Sequence, residues 1–232
     1  MTFSNPIRVG RQSAIRVFAH EYRDATLPEQ GSGEYDPGFM VTRLGAKINR
    51  ALIAGTIDSS ERRESESGQS FRFNLIDVTG THRVEVSPFN PELHPEAEEI
   101  HARFERGDRF IMMVVGKQRS FTTEDGGVFT SYNAQEMREI NSQTYAEWLA
   151  ETADATLRRI DAYEKALNAE QSMAGFRGAG IPEDLVDGML LSRAHYPDFE
   201  SEVYMLDVLQ ALNAALGLSL IHISEPTRLH VI

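Results

Sequence analysis

The chain of 232 residues has no cysteine and only one tryptophan. The absence of cysteine excludes disulfides, thiol catalysis and cysteine-ligated zinc, and it fits a reducing compartment. The apolar runs stay well short of the roughly 20 residues that a membrane-spanning helix needs. The first residues also lack the basic region and the apolar block of a secretory signal. We therefore expect a soluble cytoplasmic protein that does not associate with membranes.

The sequence also has fewer basic than acidic residues, and its formal net charge is −12. Residues 41–140 carry 13 basic and 16 acidic side chains, a net charge of −3. Residues 141–217 carry 5 basic and 13 acidic side chains, a net charge of −8. An acidic surface repels phosphates. This distribution argues against a general nucleic-acid binder but allows a local basic groove within residues 41–140.

Catalytic and metal-binding patterns are likewise missing. His94 and His101 share one face of a predicted helix with Glu98 between them, but a third metal ligand is not evident. Gly126 and Gly127 are predicted to form a hairpin turn, because neither the helix nor the lysine of a phosphate-binding loop follows them. We expect no enzymatic activity, no metal and no cofactor.

The sequence does contain segments in which apolar and polar residues alternate, as they do in half-buried strands. Two such segments, residues 71–77 and 83–87, flank a turn at Thr79 and Gly80. A helix that begins with a proline is predicted at residues 91–106. Further strands are predicted at residues 51–58, 108–117 and 128–140.

This order of strand, hairpin, helix and hairpin over residues 41–140 predicts an OB-fold, a five-stranded Greek-key barrel. The predicted fold class is mainly β with appended helices at both ends of the barrel. Residues 1–40 are predicted to hold an N-terminal helix at residues 10–24 and a linker, with a loop at residues 27–38. Residues 61–70 are polar and are predicted to form the loop between the first two barrel strands.

A long helix is predicted after the barrel, within residues 141–168. Thr144 and Glu147 have the spacing of a capping box, which makes Thr144 the predicted N-cap. Three- and four-residue steps create an apolar seam that is predicted to bind a partner helix: Leu149, Ala153, Thr156, Ile160 and Tyr163. Alternatively, this helix packs against its own barrel.

Residues 169–217 are predicted to form a further helical segment. It consists of a linker at residues 168–180, a short helix at residues 182–191 and a last helix at residues 201–216. Residues 218–232 resemble the translation of a sequencing adapter, so they are left out of the fold prediction. In that interpretation, the natural C-terminus of the protein is not represented.

The predicted barrel suggests a nucleic-acid site. Single strands are held by a cationic groove for the backbone and by aromatic faces on which the bases stack. In an OB-fold this groove crosses the second and third strands. The alternation in these strands predicts inward side chains at Phe71, Phe73, Leu75, Val84 and Val86. The same alternation predicts outward side chains at Arg72, Asn74, Arg83, Glu85 and Ser87.

Residues whose predicted positions lie along this groove are candidates for binding DNA. The predicted DNA-binding residues are Phe89, Phe121, Lys117, Arg119, Arg72, Arg83 and Tyr132. Phe89 falls where the third strand ends, and Phe121 lies in the last hairpin. Phe73 and Phe110 are predicted to belong to the core instead.

Several segments resemble subunits of replication protein A. Those in the predicted barrel resemble its middle, single-OB subunit: LIDVTGTHRVEVSPF (75–89), GDRFIMMVVGKQRSF (107–121) and VFTSYNAQEMREINSQTY (128–145). Residues 8 to about 217 resemble the archaeal replication protein A–associated proteins. The most specific segments for this second resemblance are RVGRQSAIRVFAHEYRDAT (8–26) and RLGAKINRALIAG (43–55).

The resemblance implies an OB-fold that works beside a larger DNA-binding subunit. In the middle-subunit family, an aromatic residue after the third strand and another in the last hairpin stack on bases, and they correspond to Phe89 and Phe121. The family's helix after the barrel joins the helices of the partner, and it corresponds to residues 144–167. Residues 170–217 depart from the family, because they are too short and too acidic to match the winged-helix domain of the eukaryotic relative.

We therefore expect a single-stranded-DNA-binding accessory subunit of an archaeal replication protein A complex. Such a hetero-oligomer would act in DNA replication and repair in the cytoplasm, in association with the nucleoid. The alternative is an OB-fold adaptor that binds proteins and no DNA, which the acidity of residues 141–217 favours. RNA remains open as a ligand, because base stacking does not distinguish the two sugars.

Overall fold

The computed structural model describes residues 13–29 and 38–224 of the chain. The first elements in chain order are β1 (Ile15–Arg16), α1 (Ala19–Arg23), β2 (Leu27–Glu29), β3 (Phe39–Val41) and β4 (Lys47–Ile48). The next are β5 (Arg50–Ser65), β6 (Gly68–Ile76), β7 (Thr81–Val86), a 3₁₀ turn (Pro91–Leu93) and α2 (His94–Glu105). The last are β8 (Ile111–Thr122), β9 (Val128–Ile140), α3 (Ser142–Leu167), α4 (Met173–Gly178), α5 (Glu183–His195) and α6 (Glu202–Ser224).

Five long strands close into a barrel. β5 pairs antiparallel with β6, and β6 pairs antiparallel with β7. β7 runs parallel to β9, and β9 pairs antiparallel with β8, which returns to β5. The strand order in the sheet is β5-β6-β7-β9-β8, and α2 lies between β7 and β8 in the chain. This is the arrangement of an OB-fold. The predicted fold class is therefore confirmed.

Barrel closure depends on a bend in β5. The first half of this strand pairs with β8 and the second half with β6, and a β-bulge between Ile57 and Ser59 lies where the partners change. A Cβ atom at Gly55 would lie 2.5 Å from the carbonyl oxygen of Ile76. Glycine therefore permits a close approach of two strands that any larger residue would prevent.

The barrel core consists of the side chains that alternation predicts to point inward. Those on β6 and β7 are at most 2% exposed: Phe71, Phe73, Leu75, Val84 and Val86. Ala97 and Ile100 of α2 belong to the same core. Phe73 and Phe110 are both buried, which confirms their predicted place in the core.

The amino-terminal segment differs from the predicted long helix. Ile15–Arg16 is a strand parallel to β5, and only Ala19–Arg23 is helical. The backbone amide of Ala19 donates a hydrogen bond of 2.9 Å to the Asp77 carboxylate, which fixes the start of α1 at the β6–β7 turn. The apolar residues of this segment thus reflect packing against the barrel. Residues 10–12 of the predicted helix lie outside the described residues.

Two segments that were predicted to be loops contain strands. Leu27–Glu29 forms a three-stranded sheet with β3 and β4, while residues 30–37 of the same predicted loop lie outside the described residues. Residues 61–70 continue the β5–β6 ladder as far as the pair Ser65 and Gly68. Their polar composition fits a ribbon that extends into solvent, since residues 61–68 are exposed.

A helical layer covers one side of the barrel. Trp148 Nε1 of α3 donates a hydrogen bond of 3.0 Å to the carbonyl oxygen of Leu52 on β5. The N-cap of α3 is Asn141 rather than Thr144, because Asn141 Oδ1 accepts a hydrogen bond of 2.8 Å from the Thr144 amide. Asparagine is among the strongest N-cap residues, which explains why the helix begins one turn before the predicted capping box.

α6 packs along α3, and together with α4 and α5 these helices share a second hydrophobic core. The predicted linker at residues 168–180 contains α4. α6 continues past residue 216 to Ser224, into the segment that the fold prediction left out. Among the described residues, no helix combines the length and the apolar character that a bilayer span requires.

Candidate nucleic-acid interface

The outward side chains of β6, β7, β9 and β8 share one open surface of the barrel, which we call the groove face. β7 and β9 are neighbours in the sheet, so these strands form a continuous four-stranded surface. A cavity of about 570 Å³ opens on it between β6 and the β8–β9 hairpin. The groove face is composed of the cross-strand pairs Arg72–Glu85, Asn74–Arg83, Lys117–Asn133 and Arg119–Ser131.

Three exposed phenylalanines border the groove face. Phe121 and Phe129 are cross-strand partners near the end of the β8–β9 hairpin, and they are 67% and 53% exposed. Phe89 follows the carboxyl end of β7 and is 79% exposed. Exposed aromatic rings of this kind can act as stacking platforms for bases. The structure makes the rings of Phe89 and Phe121 accessible, and their contact with DNA stays a prediction.

Phe129 is absent from the predicted set although it lies opposite Phe121. A sequence signal for it exists, because the Gly126–Gly127 turn joins two strands whose residues must pair at fixed distances from the turn. Counting outward from that turn brings Phe129 close to Phe121. The alternation in β9 also places Phe129 on the same side as Ser131, opposite to the buried Tyr132.

A carboxylate lies in the middle of the groove face. Glu85 Oε1 accepts a hydrogen bond of 2.7 Å from Arg72 Nη2, and Glu85 Oε2 lies 3.4 Å from Arg119 Nη1. Two of the four predicted cations therefore share one internal counter-ion. The number of charges that a phosphate backbone meets on this face is smaller than the sequence alone suggests.

Arg83 and Lys117 differ from the two arginines around Glu85. Both side chains are exposed. Within residues 13–29 and 38–224, no carboxylate lies within ion-pair distance of either cation. These two groups are therefore the cations of the groove face that are available to bind phosphate without breaking an existing ion pair.

Tyr132 is a correction to the predicted site. Its side chain is fully buried inside the barrel, where its ring stacks on Tyr22 at a centroid distance of 4.3 Å. Burial raises the pKa of the Tyr132 hydroxyl well above its ordinary value. A ring in this position cannot stack on a base, because alternation turns it to the inner side of β9.

The β6–β7 turn beside the groove face is fixed by Asp77. Its carboxylate accepts hydrogen bonds from the amides of Thr79 (2.7 Å) and Gly80 (3.0 Å) and lies 3.0 Å from His82 Nε2. Burial alone would raise the pKa of Asp77, but these hydrogen bonds outweigh it and hold the pKa below its ordinary value. The carboxylate therefore stays ionised and anchors both this turn and the start of α1.

The predicted partner seam on α3 is also corrected. All five of its side chains are at most 2% exposed, because they pack against other elements of the same chain: Leu149, Ala153, Thr156, Ile160 and Tyr163. The alternative prediction, in which α3 packs against its own barrel, describes part of the contacts: Trp148 bonds to β5, but α3 packs chiefly along α6 of the same chain. In this arrangement the seam has no free surface for a partner helix.

Other candidate sites offer little chemistry. His94 Nε2 lies 3.0 Å from the carbonyl oxygen of Ser87, and His101 Nδ1 lies 2.8 Å from Ser60 Oγ. In the part of the chain that the structure describes, no three histidine or carboxylate side chains are grouped to hold a metal ion. A cavity of about 810 Å³ lies away from the groove face, between β1, α3 and α5. Its cations are already paired with carboxylates, for example Arg158 with Asp184 at 2.5 Å and Arg159 with Glu21 at 2.7 Å.

Comparison with known proteins gives weak similarities to solved structures. No protein-family model and no curated protein matches the chain. Among solved structures, the mitochondrial single-stranded DNA-binding protein Rim1 of S. cerevisiae is 13% identical, with a TM-score of 0.30, over 40% of this chain and 95% of its own. A small single-stranded DNA-binding protein from Mycoplasma pneumoniae is 14% identical, with a TM-score of 0.26, over 40% and 93%. At this level the similarities carry no argument about function, and the OB-fold assignment rests on the strand order.

Proposed function

We propose that this chain binds single-stranded DNA on the groove face. The observation that supports this proposal best is the pair Phe121 and Phe129, two exposed aromatic rings beside exposed cations on the ligand-binding side of an OB-fold. Exposed phenylalanine costs solubility, so its presence on an open face favours a binding role. Aromatic faces together with cations are the combination that single strands require.

The aromatic rings favour a single strand over a duplex. A base can stack on a protein ring only when its face is not already covered by neighbouring base pairs. Phe89 lies beside the carboxyl end of β7, and the Phe121–Phe129 pair lies near the hairpin end of β8 and β9. A strand that contacts all three rings would cross the groove face between them. Several unpaired nucleotides would therefore be bound, within the range of about 4–16 that OB-folds accommodate.

We further propose that the protein acts as an accessory subunit beside a larger subunit of an archaeal replication protein A complex in the cytoplasm, at the nucleoid. The Glu85 carboxylate supports an accessory role, because it occupies two of the four cations. Intrinsic binding should consequently be weak, and a larger subunit would supply most of the affinity.

The test is fluorescence anisotropy with a labelled 20-nucleotide single strand and with the corresponding duplex. We expect the wild-type chain to prefer the single strand, and the double variant Phe121→Ala with Phe129→Ala to lose about tenfold or more in affinity. Leu167→Ala is the matched control, because Leu167 is also an exposed apolar side chain, 40% exposed, and it lies at the end of α3, outside the groove face. Equal binding of duplex and single strand would contradict the proposal.

Co-purification with the replication protein A of the same genome tests the finer proposal. We expect a complex that binds the labelled strand more tightly than either component. Formation of a complex without any DNA binding by this chain would favour the adaptor function instead, which the pairing of Glu85 with two arginines supports. Titration with an RNA strand of the same sequence measures whether the affinity depends on the sugar.

A further inference from the structure

The outer face of α6 has no partner within the described residues. Five apolar side chains on this face are 37–63% exposed: Val203, Leu206, Leu209, Leu212 and Leu216. We call them the α6 outer face. The opposite side of the same helix is buried against the rest of the chain through Tyr204, Val208, Ala211 and Ala215. A long strip of exposed apolar side chains on one helix marks a surface that is normally covered by another element or by a partner.

The spacing of these side chains favours a helix as the missing contact. Their three- and four-residue steps form a ridge along α6, and ridges of this kind pack into the grooves of another helix. Amphipathic helices that bind to the apolar surface of another protein contact it through side chains at the same spacing. An apolar strip along one helix is therefore suited to a helical partner.

Charge identifies the kind of partner. Residues 208–219 contain no charged side chain, and the one acid at the middle of the inner side, Asp207, is bonded to His20. The rim of the face is acidic around the first turn of α6, with exposed carboxylates at Glu200, Glu202 and Glu164. Glu164 Oε1 accepts a hydrogen bond of 2.9 Å from Ser201 Oγ, which places this acid beside the start of α6.

A second copy of the chain would bring the same acidic rim to the contact. Residues 141–217 carry a net charge of −8, so two such surfaces repel each other. A helix whose apolar face is flanked by lysine or arginine would complement both the leucines and the rim. We propose that the α6 outer face binds an amphipathic helix with basic flanks from another protein. This surface is separate from the groove face, and the proposal does not depend on DNA binding.

The experiment uses the full chain and a designed probe. The probe is a labelled helical peptide with leucines along one face and lysines on both flanks, and its partner peptide carries glutamates in place of the lysines. We expect the lysine peptide to bind in fluorescence anisotropy and the glutamate peptide to bind at least tenfold more weakly. Binding of the lysine peptide should weaken as salt is raised.

Variants locate the contact. Leu206→Gln with Leu209→Gln keeps the charge of the chain and should weaken binding of the lysine peptide at least tenfold. The matched control is Ile76→Gln, which removes an exposed apolar side chain from the barrel and should leave binding unchanged. Circular dichroism checks that each variant keeps its helix content. Failure of the lysine peptide to bind, or equal binding to the α6 variant, overturns the proposal.

A second copy of the chain is the competing occupant of the α6 outer face. Sedimentation velocity at increasing protein concentration shows whether the chain self-associates. We expect a monomer throughout the concentration series. A dimer that dissociates in the Leu206→Gln and Leu209→Gln variant would assign the α6 outer face to a second copy of the chain and overturn the proposed basic helix.

Discussion

Arg72 and Glu85 face each other across β6 and β7, and 2.7 Å separates Arg72 Nη2 from Glu85 Oε1. The same carboxylate also reaches Arg119, so one acid neutralises two cations on the groove face. We predict that Glu85→Gln strengthens binding of a single-stranded oligonucleotide about fivefold at low salt, because a partly solvated charge contributes about 1 kcal/mol at this distance. Anisotropy titrations of both proteins measure the change.

The salt dependence of the same titrations gives an independent readout. The two unpaired cations of the wild-type groove can neutralise about two phosphates, which corresponds to a log–log slope of about −1.4 for single strands. Release of Arg72 and Arg119 in the variant should make this slope steeper. Glu105→Gln, an exposed acid at the end of α2, is the matched control for net charge alone. Unchanged affinity of the Glu85 variant would show that the two arginines do not meet the backbone.

The exposed rings should matter for binding and not for folding. Phe89→Ala and Phe121→Ala should each weaken single-strand binding by about 1–3 kcal/mol, the range for loss of one stacked base. Their thermal stability should remain near that of the wild type, because both side chains are largely in solvent. Phe73→Ala is the contrasting variant, since this buried ring should cost about 3–5 kcal/mol of unfolding free energy. A loss of that size in Phe89→Ala would place Phe89 in a packed environment.

Ile160 on α3 is predicted to be structural. It is 2% exposed within the helical core, so Ile160→Glu would bury an unpaired carboxylate and should lower the free energy of unfolding by about 3–5 kcal/mol. Leu157→Glu makes a similar change one turn earlier at a side chain that is 37% exposed, and it should cost far less. Urea unfolding followed by circular dichroism compares the two. Equal stability of both variants would mean that the seam on α3 is open to solvent.

Local alternation was sufficient to predict the barrel. The strict apolar–polar pattern from Phe71 to Leu75 assigned each side chain to the inside or the outside, because a strand has a period of two residues. The same rule, applied to β9, would have excluded Tyr132 from the groove. An aromatic side chain beside a predicted nucleic-acid groove suggests a stacking role, but the position of Tyr132 in the alternation places it inside the barrel.

Long-range contacts set the limits of prediction elsewhere. Val203, Leu206 and Leu209 follow helical spacing, but this spacing does not show which side of the helix faces the core. In the structure these three side chains are exposed, and Tyr204 and Val208 face the core. The seam on α3 likewise predicts a helix partner without showing that α6 of the same chain supplies it. The ion pairs of Glu85 depend on the pairing of β6, β7 and β8, which no local pattern determines.

The contact between His20 and Asp207 should make stability depend on pH. His20 Nδ1 lies 2.6 Å from Asp207 Oδ2, and this contact joins α1 of the barrel to α6. The hydrogen bonds to Asp207 and Asp24 raise the pKa of His20 from 6.5 to about 9, although burial opposes them. The protonated imidazole is thus bound more tightly in the folded state than in the unfolded state.

A raised pKa in the folded state contributes stability that is fully present below pH 6.5 and is lost as the pH rises through 9. We therefore expect the free energy of unfolding to fall by about 1–2 kcal/mol between pH 6.5 and pH 9, a range that allows for solvent screening of a partly exposed ring. Asp207→Asn should flatten this slope, because it removes the main partner of His20. His195→Gln, at an exposed histidine, should retain the wild-type slope. Chemical unfolding at several pH values measures the profile, and an Asp207→Asn profile as steep as that of the wild type would assign the pH dependence to another group.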